Sequence, residues 1–358
     1  MKKGSQWSYL LLLLVLYVFF VSIDLISSSF MLFGSGFAES LINTVSSPFI
    51  GLFIGILATS LVQSSSLTTS IVVGLVASGA LPVRLAVPLI MGANLGTSIT
   101  NTLVALGHIT RKHEFKKAFA GATVDDFFNI CVLLVFFPLE YFFHFLEKVA
   151  FFFSSSFVGI ETVSFHSPLK AIVKPAVSFI TNLLFSSPWL MILVSLIFLF
   201  VCLRLIIKVT RNILSTKFEN FLHHYLFRGP LVAYFLGFLI TVIVESSSVT
   251  TSLVIPFIGA GILSIDRIFP YILGTKVGTT FTSILAALAT SSPFALTIAF
   301  VHFLYAFFGS LIIYPFRRIP IWMANRLAVA AVKNKFWIIA YITGLFYILP
   351  IIIIIFMR

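Results

Sequence analysis

The chain alternates long apolar stretches with short polar or basic segments. Segments such as 8–26, 84–108 and 336–356 are close to the roughly 20 residues that a helix needs to cross a lipid bilayer. Backbone groups inside a bilayer must be paired within the protein, which favours helices over isolated strands. The pattern therefore predicts an all-α integral membrane protein.

The N-terminal segment has features of a secretory signal peptide, because Lys2 and Lys3 precede the apolar run 10–20. No small-residue cleavage site closes this run, and the rest of the chain is also apolar. We therefore expect residues 8–26 to be retained as the first transmembrane helix.

An internal repeat aligns residue 63 with residue 245 and residue 106 with residue 288, without a gap. Serine, threonine, glycine and proline match in register, which a shared apolar composition would not produce. The repeat divides the chain into an N-terminal helix and connector (1–44), a first repeat (45–140), a connector with a helix and a basic loop (141–230), a second repeat (231–316), and a basic loop with a C-terminal helix (317–358).

The charges of the loops predict how the two repeats lie in the membrane. Basic loops remain cytoplasmic, so the loops 109–117 and 204–228 are expected inside. The loop 290–293, which corresponds to 109–117, carries no charge and is expected outside. The repeats then run in opposite directions, as in many secondary transporters. By the same parity the N-terminus is cytoplasmic, and the connector 140–188 and the C-terminus lie outside.

The composition supports the membrane assignment, since only 9% of the residues are charged and the mean hydropathy is +1.13. Soluble domains carry about 25% charged residues. The net charge of +12 comes from Lys and Arg clusters between apolar segments. Such clusters set orientation, and we expect no nucleic-acid partner. Cys131 and Cys202 lie inside apolar segments and are expected to pack there without a disulfide or metal.

Each repeat carries a serine triplet, Ser64–Ser66 or Ser246–Ser248, between apolar arms. Consecutive serines are poor helix formers, so each triplet predicts the tip of a re-entrant helical hairpin. Helix-end amides and hydroxyls at such a tip suit an oxyanion. About thirty residues later, each repeat has a Gly-x-x-x-Gly-Thr element, which predicts a broken transmembrane helix. The threonine hydroxyls and the unpaired backbone carbonyls of such a break suit sodium.

Two other interpretations of these motifs exist. Small residues and Gly-x-x-x-Gly also serve helix packing in membranes, although two matched copies favour a binding site. A nucleophilic serine would need a base or a Gly-x-Ser-x-Gly turn, and neither accompanies the triplets. We therefore expect no enzymatic activity.

The motifs resemble the type II sodium–phosphate cotransporter family. The resemblance spans about residues 45–350 and rests on the segments Val62–Ser66, Gly92–Thr102, Phe115–Asn129, Ser264–Arg267, Gly278–Thr280 and Ile284–Leu288. It implies a membrane transporter that moves phosphate inward with sodium by alternating access, with sodium as coupling ion and no other cofactor. For this chain the implied location is the plasma membrane, as in a bacterial inner membrane.

The resemblance also assigns site residues. The implied phosphate-binding residues are Gln63, Ser64, Ser65, Ser66, Asn94, Thr97, Ser246, Ser247 and Ser248. The implied cation-site residues are Asp126, Asn129, Glu245, Ser246, Lys276, Thr279 and Thr282. For the acids at 125 and 126, the alternative is pairing with Lys116 or Lys117 in the neighbouring basic loop.

Three residues of the second repeat depart from the family pattern. Glu245 replaces Gln, Lys276 replaces Asn, and Ala306 replaces Asn four residues after the retained His302. One hypothesis is that the Lys276 ammonium, held by Glu245, takes the place of a sodium ion. A static salt bridge and a contact between Lys276 and phosphate are the alternatives.

Three functions therefore remain open from the sequence. The favoured one is a sodium-coupled phosphate symporter. The second is a carrier of phosphate or a related oxyanion with reduced or no sodium coupling, working with protons, as a uniporter or as an exporter. The third is a non-transporting membrane receptor or assembly protein.

Overall fold

The computed structural model describes residues 4–156, 168–213, 228–290 and 292–357, and the regular structure in these ranges is helical. The all-α prediction is confirmed. The described residues 4–156 contain seven helices: α1 Gly4–Ile42, α2 Pro48–Val62, α3 Ser65–Ala77, α4 Val83–Ala93, α5 Ser98–Leu106, α6 Lys112–Phe143 and α7 Phe145–Ser155.

The described part after residue 167 is also helical. Its elements are α8 Pro168–Leu183, α9 Pro188–Ile213, α10 Pro230–Val244, α11 Ser247–Gly259, α12 Ile265–Thr290, α13 Pro293–Ile313, α14 Arg318–Lys333, α15 Phe336–Thr343, a π-helical turn Gly344–Ile348 and α16 Leu349–Phe356. Several helices begin as their sequence predicts. Ser47 and Ser292 cap α2 and α13 with their side chains, and a proline follows each of them.

The two serine triplets each interrupt a helix. The pairs α2–α3 and α10–α11 are both broken at two residues, 63–64 and 245–246. Gln63 and Glu245 have left-handed backbone conformations with φ of 55° and 56°. Each serine triplet therefore coincides with a helix break, at corresponding positions of the two repeats, and the re-entrant hairpin remains a prediction.

The predicted break at the glycine element is present only in the first repeat. Residues 94–97 separate α4 from α5, whereas α12 runs without interruption through Gly274 and Gly278. The expectation of a broken helix in the second repeat is therefore wrong. The two repeats differ in the side chains that can donate hydrogen bonds to the unpaired carbonyls of such a break.

In the first repeat, two side-chain amides donate to carbonyls inside the break. Gln63 Nε2 lies 3.3 Å from the Gly96 carbonyl, and Asn129 Nδ2 lies 3.0 Å from the Asn94 carbonyl. The counterpart of Gln63 is Glu245, whose carboxylate has no proton to donate. The counterpart of Asn129 is Ala306, because α6 and α13 align through Ala118 with Ala295 and Val124 with Val301. Without these donors an interrupted backbone would stay unpaired, so α12 remains a continuous helix.

Close helix packing explains the glycines of this element. A Cβ atom on Gly92 would collide with the Leu52 carbonyl of α2, and one on Gly274 with the Tyr234 carbonyl of α10. The contacts α2–α4 and α10–α12 are thus the same contact in both repeats. The packing interpretation of Gly-x-x-x-Gly therefore holds alongside the break in the first repeat.

The two repeats pack on each other reciprocally. Helix α3 of the first repeat contacts α12 and α13 of the second, and α11 of the second contacts α5 and α6 of the first. Corresponding helices thus make corresponding contacts, as in an interface between two related units. Side-chain hydrogen bonds also cross it, for example from Ser252 Oγ to Asn101 Oδ1 at 2.9 Å.

The described helices suit a lipid environment. Three are long and apolar enough to cross a membrane: Lys112–Phe143, Pro293–Ile313 and the composite helix Phe336–Phe356. Eight shorter helical segments, of 10 to 17 residues, are also apolar. Large apolar side chains are exposed on many helices, among them Leu134, Phe152 and Leu231. Such an extensive apolar exterior is consistent with a membrane protein.

The glycine contacts give a test of the packing. Gly92→Ala places a methyl group against the α2 backbone and should reduce stability by about 1–3 kcal/mol. Gly74→Ala is the matched control, because no neighbouring atom lies within 4 Å of the position that its methyl group would take. This control should be neutral or gain up to about 1 kcal/mol. Thermal unfolding in detergent measures both, and equal shifts would contradict the packing role.

Candidate functional site

The two serine-triplet tips, each a helix break with the first turn of the helix that follows it, have the same local structure. Ser64 Oγ accepts a hydrogen bond from the Leu67 amide, and Ser246 Oγ accepts one from the Val249 amide. Each serine is therefore the N-cap of the helix that follows it, α3 or α11. The other amides of each first turn have no partner inside the helix. Each tip thus presents backbone donors at the positive end of a helix.

Both tips line a single cavity of about 110 Å³. Helices α1 and α8 contribute to its wall as well. The described lining residues are Phe20, Ile23, Asp24, Gln63, Ser64, Ser65, Ser66, Thr100, Val173, Val244, Glu245, Ser246, Ser247, Ser248, Val249 and Thr279. The two serine triplets therefore border the same cavity, and phosphate binding there remains a prediction.

The chemistry of this cavity combines anion-binding and acidic groups. Six serines and the first-turn amides of two helices are suited to hydrogen-bond the oxygens of an anion. The charged residues among the described lining are Asp24 and Glu245, which are both acidic. An anion therefore meets donors and two carboxylates in the same space.

Gln63 links its tip to the broken helix. Its amide donates to the carbonyls of Ser60, at 2.6 Å, and Gly96, and its oxygen accepts from Thr100 Oγ1 at 3.4 Å. Gln63 is buried, and Thr100 also lines the cavity. These contacts hold the first tip against the helix that begins after the break.

Two predicted phosphate-binding residues lie elsewhere. Asn94 and Thr97 are buried and are not among the described residues that line the cavity. Asn94 Oδ1 accepts a hydrogen bond from His302 Nε2 at 3.2 Å, and its carbonyl accepts one from Asn129. The side chain of Asn94 therefore joins α13 to the break between α4 and α5. Its predicted contact with phosphate remains a prediction.

The predicted cation-site residues fall into two groups. Glu245, Ser246 and Thr279 line the cavity. The second group, Asp126, Asn129 and Lys276, is buried away from it. Thr282 lies three residues beyond Thr279 and donates to its carbonyl.

Within the second group, Asp126 contacts the C-terminal helix. Its Oδ2 atom accepts a hydrogen bond from the Tyr341 hydroxyl at 2.6 Å. Tyr347 of the same helical stretch donates to the Ser60 carbonyl at 3.0 Å, beside the first tip. The C-terminal helix therefore contacts Asp126 of the second group and also Ser60, which lies just before the first tip.

The partner of Lys276 differs from the expected one. Lys276 Nζ lies 2.7 Å from Asp125 Oδ2. Lys276 and Asp125 lie on the packed helices α12 and α6, whereas Glu245 lies at the tip beside the cavity. The expected pairing of Lys276 with Glu245 is therefore wrong, and so is the alternative that pairs Asp125 with a loop lysine.

Several residues of the site were not predicted from the sequence. Asp24 is an acid inside the apolar run 8–26, and the rarity of such acids in membranes was the available signal. Thr100 follows the glycine element and could have been included with it. No sequence signal pointed to Tyr341, because its contact with Asp126 joins residues more than 200 positions apart.

The comparisons with known proteins agree with these features. A model of the family described as Na+/Pi-cotransporter matches residues 18–165 and 179–319. Sodium-dependent phosphate transport protein 2B of Homo sapiens is 34% identical over 441 residues, which cover 96% of this chain and 64% of that protein. Protein 2A of Rattus norvegicus is 34% identical over 422 residues, covering 95% and 66%.

The chain therefore spans 64% to 66% of the length of these relatives. No solved structure matches it. The family model covers most of the chain, including both serine triplets and both glycine elements. The chain belongs to the Na+/Pi-cotransporter family.

Proposed function

We propose that this protein is a secondary transporter that moves inorganic phosphate across the membrane together with sodium, by alternating access. The observation that carries this proposal is the convergence of the two serine-triplet tips on one cavity. The names of the relatives, which are sodium-dependent phosphate transport proteins, support the same substrate and ion.

The donors of the cavity favour a small oxyanion as substrate. Two helix N-termini and six serine residues surround a space of about 110 Å³. Gln63 is held by three hydrogen bonds and keeps the first tip in place. A tetrahedral anion such as phosphate would accept hydrogen bonds from both tips at once, which links its binding to both repeats.

The carboxylates of the cavity favour cation coupling over uniport. Asp24 and Glu245 repel an anion, and the described lining includes no lysine or arginine. Sodium ions bound beside these carboxylates would add positive charge to the cavity and so favour phosphate binding. Protonation of Glu245 would relieve the same repulsion, so proton coupling is the second candidate.

The proposed arrangement in the membrane has two inverted repeats with re-entrant hairpins. The reciprocal packing of the repeats and the charges of their loops support it. The segments 45–140 and 231–316 form the repeats, within a multi-pass plasma-membrane protein. The N-terminus is cytoplasmic and the C-terminus is outside.

Uptake by proteoliposomes separates the candidate functions. Purified protein is reconstituted, and labelled phosphate uptake is measured with a sodium gradient, with a proton gradient and with neither. Uptake driven by sodium supports the proposal, and uptake driven only by protons supports the second candidate. Uptake without either gradient indicates a uniporter, and no uptake in any condition favours a receptor or assembly protein.

The serine tips provide the first prediction on function. Ser65→Ala or Ser247→Ala removes a hydroxyl from the cavity and should weaken phosphate affinity about tenfold, because a hydrogen bond to a charged group contributes about 1.5–3 kcal/mol. Ser70→Ala is the matched control, since Ser70 is exposed on α3 and donates to the Ser66 carbonyl. The half-saturating phosphate concentration measures the effect. A similar loss in all three variants would count against phosphate binding at the serine-triplet tips.

The loops provide a test of inverted topology. Cysteine at Ser292, which precedes α13, should react with an impermeant maleimide added outside intact cells. Cysteine at Lys112, which begins α6, should react only after the cells are opened. Labelling of both positions from the same side would exclude the inverted arrangement.

The C-terminal helix provides a test of the cation site. Tyr341→Phe removes the hydrogen bond to Asp126 Oδ2 and should raise the half-saturating sodium concentration about tenfold. Tyr141→Phe is the control, because Tyr141 is exposed and is not among the described residues that line the cavity. Sodium-dependent phosphate uptake measures both. An unchanged sodium requirement in Tyr341→Phe would remove Asp126 from the proposed cation site.

A further inference from the structure

A buried ion pair joins the two repeats outside the cavity. Lys276 and Asp125 are 4% and 3% exposed, and their charged atoms lie 2.7 Å apart. Lys276 belongs to α12 of the second repeat and Asp125 to α6 of the first. Neither residue is among the described lining of the cavity.

The internal repeat relates this pair to a second pair. Helix α13 aligns with α6 through Ala118 and Ala295, Ala122 and Ala299, and Val124 and Val301. This alignment matches Asp125 with His302, and the earlier one matches Lys276 with Asn94. The contact between Asn94 and His302 is therefore the counterpart of the contact between Lys276 and Asp125.

The counterpart pair is neutral and fully hydrogen-bonded. His302 Nε2 donates to Asn94 Oδ1, and Nδ1 lies 2.8 Å from Ser283 Oγ, whose hydroxyl can donate to it. A neutral imidazole satisfies both contacts. A neutral pair at Asn94 and His302 therefore suffices for the fold, and the corresponding positions 276 and 125 do not need charges for folding. A buried ion pair also adds little stability compared with a neutral pair, so stability alone does not account for Lys276 and Asp125.

The charged pair is not fully satisfied. Asp125 Oδ1 is buried and has no hydrogen-bond partner in the described structure. Asp126 is the next residue and is fully buried, with its Oδ2 atom bonded to Tyr341. Three charged side chains, those of Lys276, Asp125 and Asp126, therefore lie in this region, and the ammonium of Lys276 pairs with Asp125.

We propose that the Lys276 ammonium acts as a tethered cation. It permanently supplies a positive charge at Asp125, where a free monovalent cation would otherwise bind. Removal of the ammonium opens a position for one exchangeable monovalent cation at Asp125. The consequence for coupling, one exchangeable sodium ion fewer per phosphate, rests on the proposed function.

The test counts sodium ions by thermal stability. A ligand that binds only the folded state stabilises it with increasing concentration, and the slope against the logarithm of concentration rises with the number of bound ions. Apparent melting temperatures are measured in detergent, without phosphate, from low to high sodium chloride with choline chloride holding the ionic strength constant. In choline chloride alone, Lys276→Gln should have a lower melting temperature than wild type. Its melting temperature should rise more steeply with the logarithm of sodium concentration, by the amount expected for one additional bound ion.

Two further variants complete the test. Asp125→Asn with Lys276→Gln removes both charges and should return the slope to that of wild type. Lys112→Gln, which removes an exposed lysine, should leave the slope unchanged. An unchanged slope in Lys276→Gln would overturn the proposal. Failure to recover folded Lys276→Gln from sodium-containing buffer would also overturn it, because a free cation would then not replace the ammonium.

This readout is independent of transport. Protein that fails to take up phosphate in liposomes would refute the proposed function and leave the slopes unaffected. Conversely, equal slopes in a protein that transports phosphate with sodium would refute only the tethered cation.

Discussion

One constraint governs the described structure: polar groups in an apolar environment must have partners. At the hairpin tips, Ser64 and Ser246 cap the helices that begin there. At the break of residues 94–97, Gln63 and Asn129 donate to carbonyls that the helix no longer pairs. Ser64, Ser246 and Gln63 also line the cavity, so fold and site share three of these residues.

The groups that satisfy this constraint also set the electrostatics of the cavity. The described wall of the cavity offers amides and hydroxyls to an anion but carries two carboxylates, Asp24 and Glu245. In the proposed function, a cation bound beside those acids favours phosphate, and bound phosphate favours the cation. Binding of one species thus improves binding of the other, which is the thermodynamic requirement for coupling. Donors alone would bind phosphate without this dependence.

Much of this arrangement could be predicted from local sequence, and the rest depends on distant contacts. The two serine triplets predicted the helix breaks, since three serines between apolar arms disfavour a helix wherever they occur. The continuity of α12 in the second repeat could not be predicted in this way. It depends on distant positions 245 and 306, where Glu and Ala replace the amide donors of the first repeat. The partner of Lys276 also required the structure, since Asp125 and Glu245 are both acids and only helix packing distinguishes them.

The two contacts between the repeats also constrain how the protein can move. In the proposed function, alternating access moves one part of the protein against another. Separating Asn94 from His302 gives up a neutral hydrogen bond, at a cost of about 1 kcal/mol. Separating Lys276 from Asp125 would strand two buried charges, at a cost of about 3–5 kcal/mol. The contact between α6 and α12 is therefore the one that motion should preserve, and the contact through Asn94 is the one that it can break.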